Sequence, residues 1–475
     1  MKRRSFIKTG IAAGAGVACA SDLFGSAMLK SKKKPNVLVI YTDQHSCWTL
    51  GSYGGTLVKT PYIDSLAKDG ARLDNFYTNA AVCTPSRGCF MSGMYPEHNG
   101  AIVNDIPIRQ DIESVAHMFK KHGYSTGYAG KWHLDGEPKP GFVPKHRSMG
   151  FDDCSYMFNR GHWKKITEPG GKPKVHGYSV IGDEESFTTD WLADKTVDFI
   201  NKDHDEPFFY MVSIPDPHGP LSVRAPYDTM YKPEDMILPK TFNADWLPSW
   251  IKNAHYGKNV ANREEKLRKG LAQYCGMVKC IDDNVGKMLD ALKQKGILDD
   301  TVVIFTCDHG EYLGEHGGLY GKNNFFQNAY RIPFLIRYPD EIEAGTVVKH
   351  HVTTVDVKQT LAGLVGIKTN GQEQGFDASP LLRNKNVNID NVALVSREGR
   401  TGNGIIGLYN DEWALCYSQT GKDHLLYDMK NDPYQETNLF YDKQYAKARK
   451  QLTDKLVELC DKNKRNACKW LPSLI

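Results

Sequence analysis

The chain has 475 residues, 40% hydrophobic and 24% charged, which excludes a polytopic membrane protein, a disordered tail and a small disulfide scaffold. Its 60 Lys and Arg against 56 Asp and Glu give a net charge of +4. Lys2, Arg3, Arg4 and Lys8 account for that excess, so the remainder is formally neutral and nothing global points to nucleic acid.

The first segment reads as a leader. Lys2-Arg3-Arg4-Ser5-Phe6-Ile7-Lys8 precedes a Gly/Ala-rich, weakly apolar stretch ending in Ala18-Cys19-Ala20, the pattern of a signal peptide over 1–20 cut after Ala20. Paired arginines followed by x-Phe-x-Lys predict the twin-arginine machinery and a periplasmic or extracellular destination. Lipoprotein anchoring through Cys19 is the weaker alternative, because Gly16 stands where such motifs want a larger aliphatic residue. Residues 21–34, with Lys30, Lys32, Lys33 and Lys34, read as a solvated linker.

Beyond it, short apolar runs bounded by turn residues predict buried parallel strands at Val37–Tyr41, Ser125–Ala129, Phe208–Ile214, Val302–Thr306 and Phe334–Tyr338. Helices are predicted between them. One opens at Thr60-Pro61 and closes at Gly70, one starts at Asp111, and a long amphipathic one covers 263–295. Strands alternating with helices predict an α/β domain over 35–385. From 386 to 475 the pattern changes to strands at Val392–Val395, Ile405–Leu408, Trp413–Tyr417 and Leu425–Tyr427, then a helix near 442–461. That is an α+β subdomain built on an antiparallel meander. The eleven cysteines include no CxxC pair and define no disulfide framework.

Ligands of open α/β sheets gather at the carboxyl ends of strands. Four predicted ends carry reactive residues: Asp43-Gln44, Lys131-x-His133, Asp216-x-His218 and Asp308-His309. Oxygen donors from Asp43, Gln44 and Asp308 suit Ca²⁺ or Mg²⁺, whereas the His309 nitrogen suits Mn²⁺, Fe²⁺ or Zn²⁺. Glu315-His316 in a Gly-rich loop, His350-His351 at a surface strand start and the tryptophans Trp163, Trp246 and Trp250 read as structural.

Ala81-Val82-Cys83-Thr84-Pro85-Ser86-Arg87-Gly88-Cys89-Phe90-Met91-Ser92-Gly93 resembles the Cys-x-Pro-x-Arg signature of formylglycine-dependent type I sulfatases, members of the alkaline phosphatase superfamily. Gly123-Tyr124-Ser125-Thr126-Gly127-Tyr128-Ala129-Gly130-Lys131-Trp132-His133 resembles their second signature. The likeness runs from Pro35-Asn36 through Asp308-His309-Gly310-Glu311 and Gly321-Lys322 to Leu426-Tyr427-Asp428-Met429-Lys430-Asn431-Asp432-Pro433.

The resemblance implies an alkaline-phosphatase-like α/β sandwich with a smaller C-terminal antiparallel sheet. It implies that a cytoplasmic maturation enzyme oxidises Cys83 to formylglycine (3-oxoalanine), with Pro85 and Arg87 serving maturation and Arg87 then supporting the aldehyde hydrate. One hydroxyl of that hydrate attacks sulfur; the other loses its proton and expels sulfate by C–O cleavage. Asp43, Gln44, Cys83, Asp308 and His309 would hold one divalent cation, Ca²⁺ by family expectation, with Mn²⁺, Zn²⁺ and Mg²⁺ open. Lys131 and Lys322 would bind sulfate oxygens, His218 with Lys322 would be the acid, and His133 the base.

The implied substrate is a sulfated glycan or oligosaccharide, of galactose type by resemblance alone. Gln44 and His309 depart from the Asp and Asn of many sulfatases and match phosphonate monoester hydrolases of the superfamily, which supplies an alternative activity. A glycan binder that is never matured is the alternative from another class.

Overall fold

The computed structural model describes residues 33–136, 141–251, 255–398 and 402–475, so the predicted leader and Cys19 lie outside the described residues. The first strand, β1 (Asn36–Asp43), splits its side chains between two cores, as the period of two requires. Val37, Val39 and Tyr41 enter one apolar cluster, and Leu38 and Ile40 enter the other.

Along the chain follow α1 (Pro61–Lys68), β2 (Ala71–Leu73), α2 (Cys83–Ser92), α3 (Val115–Lys121), β3 (Ser125–Lys131) and β4 (Asp153–Phe158). Then come α4 (Thr188–Asn201), β5 (Phe208–Pro217), α5 (Arg263–Gln294), β6 (Thr301–Cys307), β7 (Phe334–Arg337), β8 (Thr346–Val348) and α6 (Val357–Val365). The strands form one eight-stranded sheet in the order β8-β2-β7-β6-β1-β5-β3-β4. Helices α2, α3 and α6 contribute to the core on one face; α1, α4 and α5 contribute to the core on the other. This is the large, mostly parallel, helix-flanked sheet that the strand–helix alternation predicts.

Three local expectations are corrected. The run at Phe334–Tyr338 forms β7, which is antiparallel to β6, with Phe334 opposite Thr306 and Arg337 opposite Val303. A parallel return needs a crossover of a dozen or more residues, usually a helix, and the connection from β6 contains only four-residue helical turns. Helix α3 begins after Ser114 rather than at Asp111. The Ser114 hydroxyl accepts from the His117 amide and the His117 ring returns a bond to the Ser114 amide, a capping box that Asp111 could not form. His351 is buried, 1% exposed, and stacks on Tyr77, so it belongs to the interior.

Strands β9 (Ala393–Arg397), β10 (Ile405–Tyr409), β11 (Trp413–Ser418) and β12 (Leu425–Asp428) form an antiparallel meander, followed by α7 (Ala446–Lys462). Pro35–Ile475 is one compact unit. The nine cysteines whose side chains are described are free thiols, eight of them buried and Cys47 partly exposed. Among the described residues no helix is long and apolar enough to cross a membrane.

Candidate active site

Strands β6, β1, β5 and β3 are consecutive in the sheet, so their carboxyl ends lie side by side. Asp43 ends β1, Lys131 ends β3, His218 follows β5, and Asp308-His309 follow β6. Facing them is Cys83, the first residue of α2, where the helix N-terminus favours a thiolate. The Cys83 sulfur lies 3.2 Å from His309 Nε2, 3.2 Å from Lys322 Nζ and 3.8 Å from Asp43 Oδ1.

Asp43, Cys83, Asp308 and His309 each aim one donor atom into a common space, all within 4.8 Å of one another and all buried. His309 Nδ1 donates to the Gly310 carbonyl at 3.0 Å, which leaves Nε2 directed at the carboxylates, 3.5 Å from Asp308 and 3.8 Å from Asp43. That backbone bond is the device by which proteins present an imidazole lone pair to a metal, so the donor set fits a divalent cation. Gln44 stands beside it with its oxygen 2.8 Å from Lys322 Nζ and its amide nitrogen donating to Glu311.

Arg87 is 2% exposed and uses its whole guanidinium. Nε reaches Asp308 at 3.0 Å and Nη2 reaches Asp43 at 3.2 Å, while Nη1 donates to the Lys131 carbonyl and Ser213 Oγ. Two buried carboxylates thus share one buried cation. Lys131 adds a second counter-charge by ion-pairing with Asp43. Asp43 is held well below the usual carboxylate range: burial pushes it up, but Lys131, His218, His162 and Arg87 together outweigh that. Burial and Asp43 likewise push the Cys83 thiol up, and Lys131, Lys322 and His309 bring it well below its ordinary value.

Glu311 is the fixed post behind this face. It is buried and bonds Gln44, the Leu313 amide at 2.9 Å and the Gly321 amide, so it ties β1's end to the loop carrying Lys322. In the sequence it stands within Asp308-His309-Gly310-Glu311 with no local signal of that role.

Sequence alone does not single out His162, although the loop after β4 is a fifth strand end on the same side of the sheet. Its Nε2 lies 2.8 Å from Lys131 Nζ, and its ring stacks on His218 with centroids 3.9 Å apart and planes 4° apart. His218 in turn places Nε2 3.1 Å from Lys322 Nζ and Nδ1 2.8 Å from the Gly219 carbonyl. Burial, reinforced by Lys131, lowers His162 to about 3; burial and Lys322 put His218 well below its ordinary value. The two imidazoles therefore stack, each facing one ammonium.

His133 stands one step outward. Thr84 Oγ1, next to Cys83, donates to its carbonyl at 2.8 Å, and its ring meets Asp105. Asp216, predicted at the same strand end as His218, turns away to Lys164 and Thr189. A cavity of about 490 Å³ adjoins the mouth, lined by Val82, Pro85, Asn104, Asp105, Asn323 and Arg397 among others.

Residues 35–367 match the sulfatase family, and residues 314–462 match the C-terminal region described as that of N-sulphoglucosamine sulphohydrolase. The chain belongs to the sulfatase family. It is 30% identical over 438 residues to an ulvan-active sulfatase of Formosa agariphila, covering 89% of this chain and 80% of the relative. It is 26% identical to an N-acetylglucosamine-6-O-sulfatase of Bacteroides thetaiotaomicron, covering 91% of this chain and 88% of that one. The phosphonate monoester hydrolase of Agrobacterium radiobacter shares the fold, with a TM-score of 0.74 at 23% identity over 90% of this chain and 96% of that one. The chain is therefore a sulfatase, an enzyme, as its two signature segments imply.

Proposed function

We propose that this sulfatase removes sulfate from a hydroxyl of a sulfated carbohydrate, with residue 83 matured to formylglycine and one divalent cation, Ca²⁺, held by Asp43, Gln44, residue 83, Asp308 and His309. The observation that carries the reading is the position of Cys83, at a helix N-terminus, within 3.2 Å of both His309 Nε2 and Lys322 Nζ. When bound, the cation supplies positive charge against sulfuryl oxygens and favours ionisation of the attacking hydroxyl. Lys131 and Lys322 flank the space above Cys83 and hold the developing charge in a site screened from water. Arg87, with its donors engaged, keeps Asp43 and Asp308 aligned.

His218 Nε2 accepts from Lys322, so the proton for a departing sugar oxygen resides on that pair, and His218→Ala impairs esters of poor leaving groups on the order of 10²-fold more than aryl sulfates. Equal losses on both classes remove His218 from the acid role. His133 takes a proton in the step that frees sulfate.

Carbohydrate as substrate is supported by the relatives named as an ulvan-active sulfatase and an N-acetylglucosamine-6-O-sulfatase, and by the cavity beside the mouth, large enough for a sugar. The twin-arginine-like leader supports action outside the cytoplasm, where polymers are met; it also requires maturation of Cys83 before export. Gln44 and His309 favour a second reading, phosphonate or phosphate ester hydrolysis. Sulfate release from a panel of sulfated sugars, run beside an aryl sulfate and a phosphonate ester on protein from the native source, separates the two. Faster turnover of the phosphonate than of every sugar sulfate overturns the first. Metal analysis of the same preparation, with chelation and re-addition, tests Ca²⁺ against Mn²⁺ and Zn²⁺.

A further inference from the structure

The backbone around His133 is pinned from three sides. The Trp132 amide donates to the Phe158 carbonyl at 2.8 Å, the His133 amide to the Asn159 carbonyl at 2.6 Å, and the His133 carbonyl accepts from Thr84 Oγ1. His133 itself adopts φ +60°, a left-handed conformation that costs a non-glycine residue energy and persists where the surroundings over-determine it. What remains free is rotation of the ring and the choice of its protonated nitrogen.

Asp105 decides both. Its Oδ1 lies 3.0 Å from His133 Nε2, and a carboxylate only accepts, so Nε2 carries a hydrogen. The other oxygen, Oδ2, takes Arg160 Nη1 at 3.0 Å, which ties the carboxylate to the loop that also carries His162. His133 Nδ1 is buried and has no hydrogen-bond partner among the described residues. A buried acceptor without a donor is costly and calls for a reason.

We propose that Asp105 is the positioning residue of the sulfatase: it holds His133 in the Nε2–H form, so that Nδ1 is the nitrogen left to take a proton. Asp105 acts through the ring it orients. The inference rests on the reading of His133 as the base.

Two measurements test it, one independent of turnover. In protein still carrying the Cys83 thiol, ¹⁵N spectra of labelled imidazoles, with the His133 signal identified by its loss in His133→Gln, report which nitrogen holds the proton. The expected result is a pure Nε2–H form in the wild type and a mixture in Asp105→Ala. In matured protein, Asp105→Ala and the isosteric Asp105→Asn lower kcat by roughly 10–100-fold with KM little changed, and Asp105→Glu restores part of the loss. A Nδ1–H form in the wild type, or wild-type kcat in Asp105→Ala, overturns the proposal. His133→Gln separates the two levels. If it cripples turnover while Asp105→Ala does not, only the positioning role fails. If it leaves turnover intact, the base reading fails and the proposal with it.

Discussion

The carboxyl edge of the large sheet and the four-stranded C-terminal sheet are both buried, yet they are built from opposite materials. At the edge, Asp43, Asp308, Arg87 and Lys131 sit in the interior at 0–2% exposure, each paired with an opposite charge. In the small sheet the strands alternate between two apolar clusters. Leu394, Ile406, Leu408, Leu415 and Leu426 join Leu452, Leu456 and Leu459 of α7. Val395, Ile405, Tyr409, Cys416 and Tyr427 join Tyr312, Phe325, Phe326 and Tyr330, which bracket Lys322. Buried ion pairs add little net stability, whereas buried hydrocarbon adds about 25 cal/mol per Å². The lesson is a division of labour: one sheet carries charge for chemistry, and the other, through the 312–330 segment, supplies a firm seat for one of its lysines.

Substitutions can sharpen or break that contrast. Cys83→Ala has the largest expected effect, a loss of turnover of roughly 10⁴-fold or more with an unchanged melting temperature, since no core contact depends on the thiol alone. A matching fall in melting temperature would deny that the edge is specialised for chemistry. Arg87→Met comes next. It leaves Asp43 and Asp308 facing each other without their shared cation, and denaturant titration should show about 3–5 kcal/mol lost.

Leu456→Ala tests the other side. Leu456 is fully buried between α7 and the small sheet, and its truncation should remove about 2–5 kcal/mol while kcat of the folded fraction stays within about twofold. A fall in kcat far beyond that would show that the C-terminal sheet tunes the chemistry as well as seating it.

The smallest effect is a pH dependence. His316 stacks on Phe326 with centroids 3.6 Å apart, and burial lowers its pKa to about 3. Its folded pKa lies below the unfolded value of 6.5, so the unfolded chain binds the extra proton between them. The stabilisation is complete above pH 6.5 and is lost as pH falls toward 3. About 2 kcal/mol should disappear between neutral pH and about pH 5, and His316→Gln should abolish that part of the acid sensitivity. An unchanged pH slope in the variant would place the loss elsewhere.

Periodicity and turn chemistry alone determined the strand–helix alternation, the C-terminal meander and the four strand ends with their Asp, Gln, Lys and His residues, because those signals are local and repeat along the chain. Tertiary structure decided what local signals do not encode. The direction of β7 depends on how a connection without a crossover helix closes on β6. His162 and Asp105 sit in loops with no periodic or motif context, and they acquire a place only when β4 and β3 end beside one another. Glu311 and Arg87 were legible as motif letters, but their partners lie more than 200 residues away for Gln44–Glu311 and Arg87–Asp308, so which charges meet was settled by packing. Composition and spacing can nominate a charged residue; only the folded sheet edge, where water is excluded and every buried charge must find its opposite, fixes what it pairs with and therefore what it can do.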